Sequence, residues 1–256
     1  MEESGNIISV RRLTKVFRVG SEKVVALNDI SLNIQKGQIC CIVGTSGSGK
    51  STLLNQLAGL EKPTRGQVLI GGKNISAFSE TRLARFRQKH IGFIFQSYNL
   101  IAAMTALENV SMPLIFRGMP KKKRELAARR ILKEVGLTER AGHKPSQMSG
   151  GQQQRVGIAR AFVATPKIIF ADEPTGNLDT KTTVEVMQMM VRLCRQFNQT
   201  LVLVTHDVEI AGYADRVVTM RDGVIVEDRE NTPPAAGTGE EAKTEQPSQE
   251  GARDER

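Results

Sequence analysis

The stretch Gly44-Thr45-Ser46-Gly47-Ser48-Gly49-Lys50-Ser51-Thr52 decides the fold. Before it, Ile39-Cys40-Cys41-Ile42-Val43 is short, apolar and β-branched, which reads as a buried strand. After it, Leu53-Leu54-Asn55-Gln56-Leu57-Ala58 starts a helix. Strand, glycine loop and helix in that order are the context of a phosphate-binding loop. The glycines let successive backbone N–H groups turn inward around a polyanion. The helix N-terminus adds partial positive charge at the same point. Lys50 can reach the β- and γ-phosphates of a nucleotide, and the Ser51 hydroxyl can ligate Mg²⁺.

Other strands bring acids to the same kind of strand end. Ile168-Ile169-Phe170-Ala171 is an apolar run that ends in Asp172 and Glu173. An acid at the end of a strand beside a phosphate loop can hold Mg²⁺. The acid next to it is then placed to orient or deprotonate an attacking water. Ile91-Gly92-Phe93-Ile94-Phe95 is a strand ending at Gln96, and Leu201-Val202-Leu203-Val204-Thr205 is a buried strand ending at His206. Phe17 lies 27 residues before the loop, where a ring could stack on a base or fill the core.

The remaining elements follow from patterning. Val10 to Phe17 pairs with Val24 to Leu27 across a turn at Gly20-Ser21-Glu22-Lys23, and Ile30 to Ile34 is a further strand. Gln67 to Ile70 is a strand, and Arg82 to Lys89 a basic helix. Leu107 to Phe116 and Lys121 to Val135 are helices. Met148-Ser149-Gly150-Gly151-Gln152 opens a helix running to about Ala164, and Thr182 to Gln196 is a helix with a Met-rich core face. Val217 to Met220 and Val224 to Val226 flank a hairpin turn. From Asn231 to Arg256 the chain is rich in Pro, Gly, Ala, Thr and Glu and reads as a disordered polar tail.

Composition narrows the classes. The chain has 256 residues and no run of 18 apolar residues, so no segment is expected to span a membrane alone. The acidic start Met1-Glu2-Glu3 is no secretory signal. Three cysteines make no disulfide framework and read as buried packing thiols. The net charge is +9; without the tail, 33 bases face 21 acids, a net of +12. Such a charge invites a nucleic acid or an anionic surface as partner.

The ordered motifs from Ile7 to Glu230 resemble the ATP-binding subunit of an ATP-binding-cassette (ABC) transporter. Met148-Ser149-Gly150-Gly151-Gln152 resembles that family's signature, with Met for the usual Leu, a volume-conserving departure. The resemblance implies a P-loop NTPase α/β fold. A RecA-like core would carry an N-terminal antiparallel β subdomain and a helical subdomain inserted at about residues 97–160. It implies Glu173 as catalytic base, His206 as the switch histidine on the γ-phosphate, and Gln96 as the Mg²⁺-sensing glutamine facing the membrane partner. Asp172 would hold Mg²⁺ with Ser51 and Gln96, and Phe17 would stack on the base. Asn177-Leu178-Asp179 would cross to a second subunit. ATP and Mg²⁺ are the implied cofactors. Two copies would sandwich two ATP molecules, with Ser149, Gly150, Gly151 and Gln152 of one closing on the phosphate loop of the other. The implied setting is the cytoplasmic face of a membrane, beside a separate permease.

Asp172-Glu173-Pro174-Thr175-Gly176-Asn177-Leu178-Asp179 is similar to the macrolide-export and lipoprotein-release branch. The alternative is a non-transport ABC ATPase, such as a cell-division regulator or a nucleic-acid-linked enzyme. About 100 residues separate Lys50 from Ser149, too few for the long coiled coil of DNA-repair relatives, so no nucleic acid is expected.

Overall fold

The computed structural model describes residues 5–232. Residues 233–256, most of the tail read from the sequence, lie outside the described residues. In chain order the strands and helices are β1 (Asn6–Val19), β2 (Glu22–Gln35), β3 (Ile39–Val43), α1 (Lys50–Leu57), β4 (Arg65–Ile70), β5 (Lys73–Asn74), α2 (Glu80–His90) and β6 (Ile91–Phe95). There follow α3 (Ala106–Phe116), α4 (Lys121–Glu134), α5 (Gly150–Phe162), β7 (Ile168–Asp172), α6 (Thr180–Gln196), β8 (Thr200–Thr205), α7 (Val208–Ala211), β9 (Arg216–Arg221) and β10 (Val224–Glu230).

Two sheets result. The antiparallel one has the order β2-β1-β4-β5, and the larger one the order β10-β9-β3-β8-β7-β6. From β9 to β6 the larger sheet is parallel, and every residue of β3 and of β8 is buried. Strands covered on both faces must be apolar throughout, which is why Ile39–Val43 and Leu201–Val204 show no alternation. Side chains of β3 divide between two cores. Ile39, Cys41 and Val43 pack with α3–α6, while Cys40 and Ile42 pack with α1, α2 and the antiparallel sheet. The three cysteines are buried and free, and burial pushes the Cys40 and Cys194 thiols up to about 12. Met187, Met189 and Met190 are likewise core residues of α6.

The structure corrects one strand assignment. Ile30–Ile34 is no separate strand but the second half of β2. The buried residues Leu27 and Ile30 stand three apart, which breaks the two-residue alternation expected of one strand. Register shifts between β1 and β2, with Arg12 at φ 48° and Asp29 at φ 52°, absorb the extra residue and keep both side chains inside. The short helix α7 is absent from the sequence reading, although Asp207 caps it, accepting from the Glu209 N–H at 2.8 Å, and Gly212 follows it. Asn231, where the tail reading began, is tied to the body: its amide donates to the Asp215 carbonyl at 2.7 Å and its side chain to the Ala214 carbonyl at 2.7 Å.

The parallel strands place functional side chains at one edge. The phosphate loop follows β3, Gln96 follows β6, Asp172 ends β7, and His206 follows β8. Helices α3 and α4 form the helical excursion between β6 and α5.

Candidate nucleotide site

A cavity of about 820 Å³ opens at that edge. Gly44, Thr45, Ser46, Gly47, Gly49, Lys50, Ser51, Thr52, Gln96, Glu173 and His206 all line it. The loop geometry explains two of its glycines. A Cβ on Gly44 would run into the Met220 carbonyl and meet Ser48 Oγ at 2.6 Å. Gly49, the residue before α1, sits at φ 97°, and a Cβ there would lie 2.6 Å from the Ala26 carbonyl oxygen. Lys50 is buried, and its ammonium donates to the carbonyls of Gly44 at 2.8 Å and Thr45 at 2.9 Å. The cation is thereby held inside the ring of backbone that forms the loop. Ser48 does not line the cavity; its side chain is buried behind the loop.

Oxygen donors meet at the start of α1. The Ser51 hydroxyl donates to Asp172 Oδ1 at 2.9 Å, bringing together groups 121 residues apart. Burial pushes the Asp172 carboxyl above its ordinary range; the Ser51 hydrogen bond opposes the rise and the Glu173 charge adds to it. A hydroxyl and a carboxylate side by side are the hard donors that suit Mg²⁺, so the residues present fit that ion. Glu173 sits just past β7 at φ 45°, a strained conformation for a residue with a Cβ. Its backbone N–H donates to the Val204 carbonyl at 3.0 Å, which anchors the turn on β8. His206 Nδ1 lies 3.1 Å from both carboxylate oxygens of Glu173.

The other sequence-predicted residues lie elsewhere. Ser149, Gly150, Gly151, Gln152 and Asp179 line a second cavity of about 570 Å³, together with Asn177 and Leu178. Ser149 caps α5: its hydroxyl accepts from the Gln152 N–H at 3.3 Å, and Gln152 Oε1 accepts from the Ser149 N–H at 3.1 Å. This reciprocal pairing satisfies two backbone donors at the helix start. Asp179 caps α6, and hydrogen bonds from the Thr182 hydroxyl and N–H hold its carboxyl below the usual range. Phe17 lines neither cavity. It lies near the tip of the β1–β2 hairpin, opposite Val24.

Three side chains connect these pieces: Gln154 and Arg160, which the sequence did not single out, and Asn177, which it assigned only to the loop crossing to a second subunit. Asn177 donates to the Gln96 carbonyl at 3.1 Å and so fixes the end of β6. Gln154, buried on α5, donates to the Pro174 carbonyl, just after Glu173. Arg160, also buried on α5, donates to the Tyr98 carbonyl at 2.7 Å and pins the segment after Gln96. Burial pushes the Arg160 guanidinium below its ordinary range. The available signal was the placement of Gln154 and Arg160 among the apolar residues of α5, because buried polar side chains must find partners.

A phosphate loop on a parallel sheet, with acids and a histidine at neighbouring strand ends, defines a phosphate-loop nucleotide hydrolase. Comparison with known proteins narrows the class. The family model described as "ABC transporter" matches residues 27–176, and the chain belongs to that family as its ATP-binding, ATP-hydrolysing cassette. It is 46% identical over 244 residues to the macrolide export ATP-binding/permease protein MacB of Rhodopseudomonas palustris (strain HaA2), covering 95% of this chain and 37% of that protein. It therefore spans just over a third of that relative's length. An uncharacterized ABC transporter ATP-binding protein of Thermotoga maritima (strain MSB8) is 49% identical over 211 residues, covering 82% of this chain and 90% of that one. Among solved structures, the ATP-binding cassette MJ0796, dimeric and bound to ADP and Pi in a post-hydrolysis state, is 42% identical with a TM-score of 0.81, covering 87% of this chain and 98% of that one. The α/β cassette fold expected from the sequence is the fold observed.

Proposed function

We propose that this chain is the motor of a membrane transporter, closing head to tail with a second copy over two Mg·ATP and driving a separate permease. The observation that carries the reading is the separation of the two cavities. In one chain Ser149 lines a different cavity from Lys50, so the helix N-terminus at Ser149 serves a phosphate only when another copy presents it. The MJ0796 cassette, dimeric with ADP and Pi bound, supports pairing of two copies.

The residues divide the work. The loop N–H groups and Lys50 hold the phosphates. Ser51 and Asp172 hold Mg²⁺, with Gln96 beside them; the ion, when bound, neutralises charge on the β- and γ-phosphate oxygens. Glu173 accepts the proton of the attacking water. His206 orients the Glu173 carboxylate and, with its side chain 65% exposed, has room to turn towards the γ-phosphate. Phe17 stacks on the base. Loss of the γ-phosphate removes the charge that Ser149 and its helix engage from across the interface, and the dimer opens.

A path runs from this cavity to an apolar groove of about 730 Å³ between α2 and α3. Gln96 lines the cavity, Asn99 lines the groove, and Arg160 lines the groove while holding Tyr98. Phe116 lines the groove too and is 69% exposed, a large ring with too little of this chain to cover it. The permease segment that fills the groove is apolar, and closure at Gln96 moves it. Docked in this way, the chain sits peripherally on the membrane as part of the proposal. The names of the MacB relatives, macrolide export proteins, support export as the work of this motor, and no nucleic acid is part of the proposal.

The test of the dimer is gel filtration. Glu173→Gln protein is expected to run as a monomer without nucleotide and as a dimer in Mg·ATP. Adding Ser149→Arg, which puts bulk and charge in the interface, is expected to restore the monomer. A Glu173→Gln protein that stays monomeric at saturating ATP would remove the composite site. The permease arm uses Phe116→Asp. That variant is expected to keep the ATPase rate of the isolated chain and to lose sedimentation with membranes that contain the permease; unchanged sedimentation rejects the groove as the docking place.

A further inference from the structure

We propose that Lys15 is the positioning residue that holds the Phe17 ring for base stacking, so that it sets the chain's preference for ATP over a triphosphate lacking a base. The inference rests on the base-stacking reading of Phe17.

Phenylalanine has no hydroxyl through which a hydrogen bond could pin its ring. Here a cation does that instead. Lys15 Nζ stands 4.9 Å from the centroid of the Phe17 ring, inside the range of a cation–π contact. The ammonium is itself fixed from two sides. It lies 3.3 Å from Glu61 Oε2 and donates to the Lys62 carbonyl at 2.9 Å. The Lys15 side chain is only 16% exposed, so this is no solvent-screened surface pair.

The contacts continue to the phosphate loop's own helix. Asn55, on α1, donates from Nδ2 to Glu61 Oε1 at 3.4 Å, and its carbonyl accepts from the Leu60 N–H at 2.9 Å. The line Phe17–Lys15–Glu61–Asn55 thus joins the β1–β2 hairpin to the helix whose first residue is Lys50. A nucleotide bound at both ends needs a set distance between base and phosphates. Lys15 supplies the strut that fixes it, and it also spares the ring the loss of rotational freedom on stacking.

The experiment measures dissociation constants by titration calorimetry for Mg·ATP and for inorganic tripolyphosphate with Mg²⁺. Wild type, Lys15→Met, Lys15→Arg, Phe17→Ala and the Lys15→Met/Phe17→Ala double variant are compared. Lys15→Met is expected to weaken ATP binding about three- to tenfold and leave tripolyphosphate unchanged. Lys15→Arg, which keeps the cation, is expected to restore most of the ATP affinity. The double variant is expected to bind ATP no worse than Phe17→Ala. Tripolyphosphate also reports that each variant has a folded loop. If Phe17→Ala weakens ATP binding and Lys15→Met does not, the strut is rejected and the stacking reading stands. If Phe17→Ala changes neither ligand, both fall. Equal weakening of ATP and tripolyphosphate by Lys15→Met, or a full Lys15→Met effect in the Phe17→Ala background, means that Lys15 acts on the loop and not through the ring, and this also overturns the proposal.

Discussion

Glu173→Gln is expected to lower the ATP turnover rate about 10²–10⁴-fold while leaving ATP affinity near the wild-type value. The amide keeps the size and hydrogen-bonding capacity of the carboxylate but cannot take a proton from water. The groups proposed to hold the nucleotide are left in place: Lys50 on the loop carbonyls and Ser51 on Asp172 are untouched by the change. The turn that presents residue 173 is anchored by main-chain bonds, from its own N–H to Val204 and from the Gly176 N–H to its carbonyl at 3.1 Å. The substitution therefore alters chemistry and spares geometry. His206 makes the comparison sharper. With Nδ1 3.1 Å from both Glu173 oxygens, it gains no partner able to carry a full negative charge in the variant. A His206→Ala protein would lose orientation of the carboxylate but keep the base, and its rate loss should be the smaller of the two. Single-turnover hydrolysis of radiolabelled ATP measures both. Wild-type turnover by Glu173→Gln would remove Glu173 as the base.

The phosphate loop was legible because its chemistry is contiguous. Nine neighbouring residues carry the glycines, the cation and the hydroxyl, and the strand and helix around them are read from the same stretch. Asp172, Glu173 and His206 were legible for a related reason: each stands at or just past the end of a short buried strand, and in a parallel sheet such strands end at one edge. What the sequence hid is of two kinds. The β2 strand was split in the reading because its alternation slips between Leu27 and Ile30, and only the pairing with β1 reveals the bulge that repairs it. Arg160 and Gln154, and the contact made by Asn177, were hidden because their partners are backbone carbonyls, which every residue has. Arg160 reaches Tyr98 across 62 positions, and nothing in either residue type announces the pair. The separation of Ser149 from Lys50 into two cavities was implied by the family resemblance alone; composition and periodicity carry no trace of it.

Lys50→Ala is expected to weaken Mg·ATP binding by about 10²–10³-fold, because it removes the cation that faces the β- and γ-phosphates and leaves their charge unpaired in a partly enclosed site. The variant should nevertheless fold. Lys50 is the first residue of α1, where the helix dipole disfavours positive charge, and alanine is the better helix former. The carbonyls of Gly44 and Thr45 lose their donor but border an open cavity, where water replaces it. Thermal melting should therefore show a midpoint equal to or above that of the wild type in the same preparation that binds Mg·ATP weakly. Lys50→Arg separates charge from shape. A guanidinium keeps the charge, but its planar fork cannot sit in the carbonyl ring that holds a single ammonium, so its binding should also be impaired. Titration calorimetry with Mg·ATP measures all three proteins. Wild-type affinity in Lys50→Ala would mean that the loop's N–H groups and helix N-terminus suffice for the phosphates, and it would remove the cation from the account of binding.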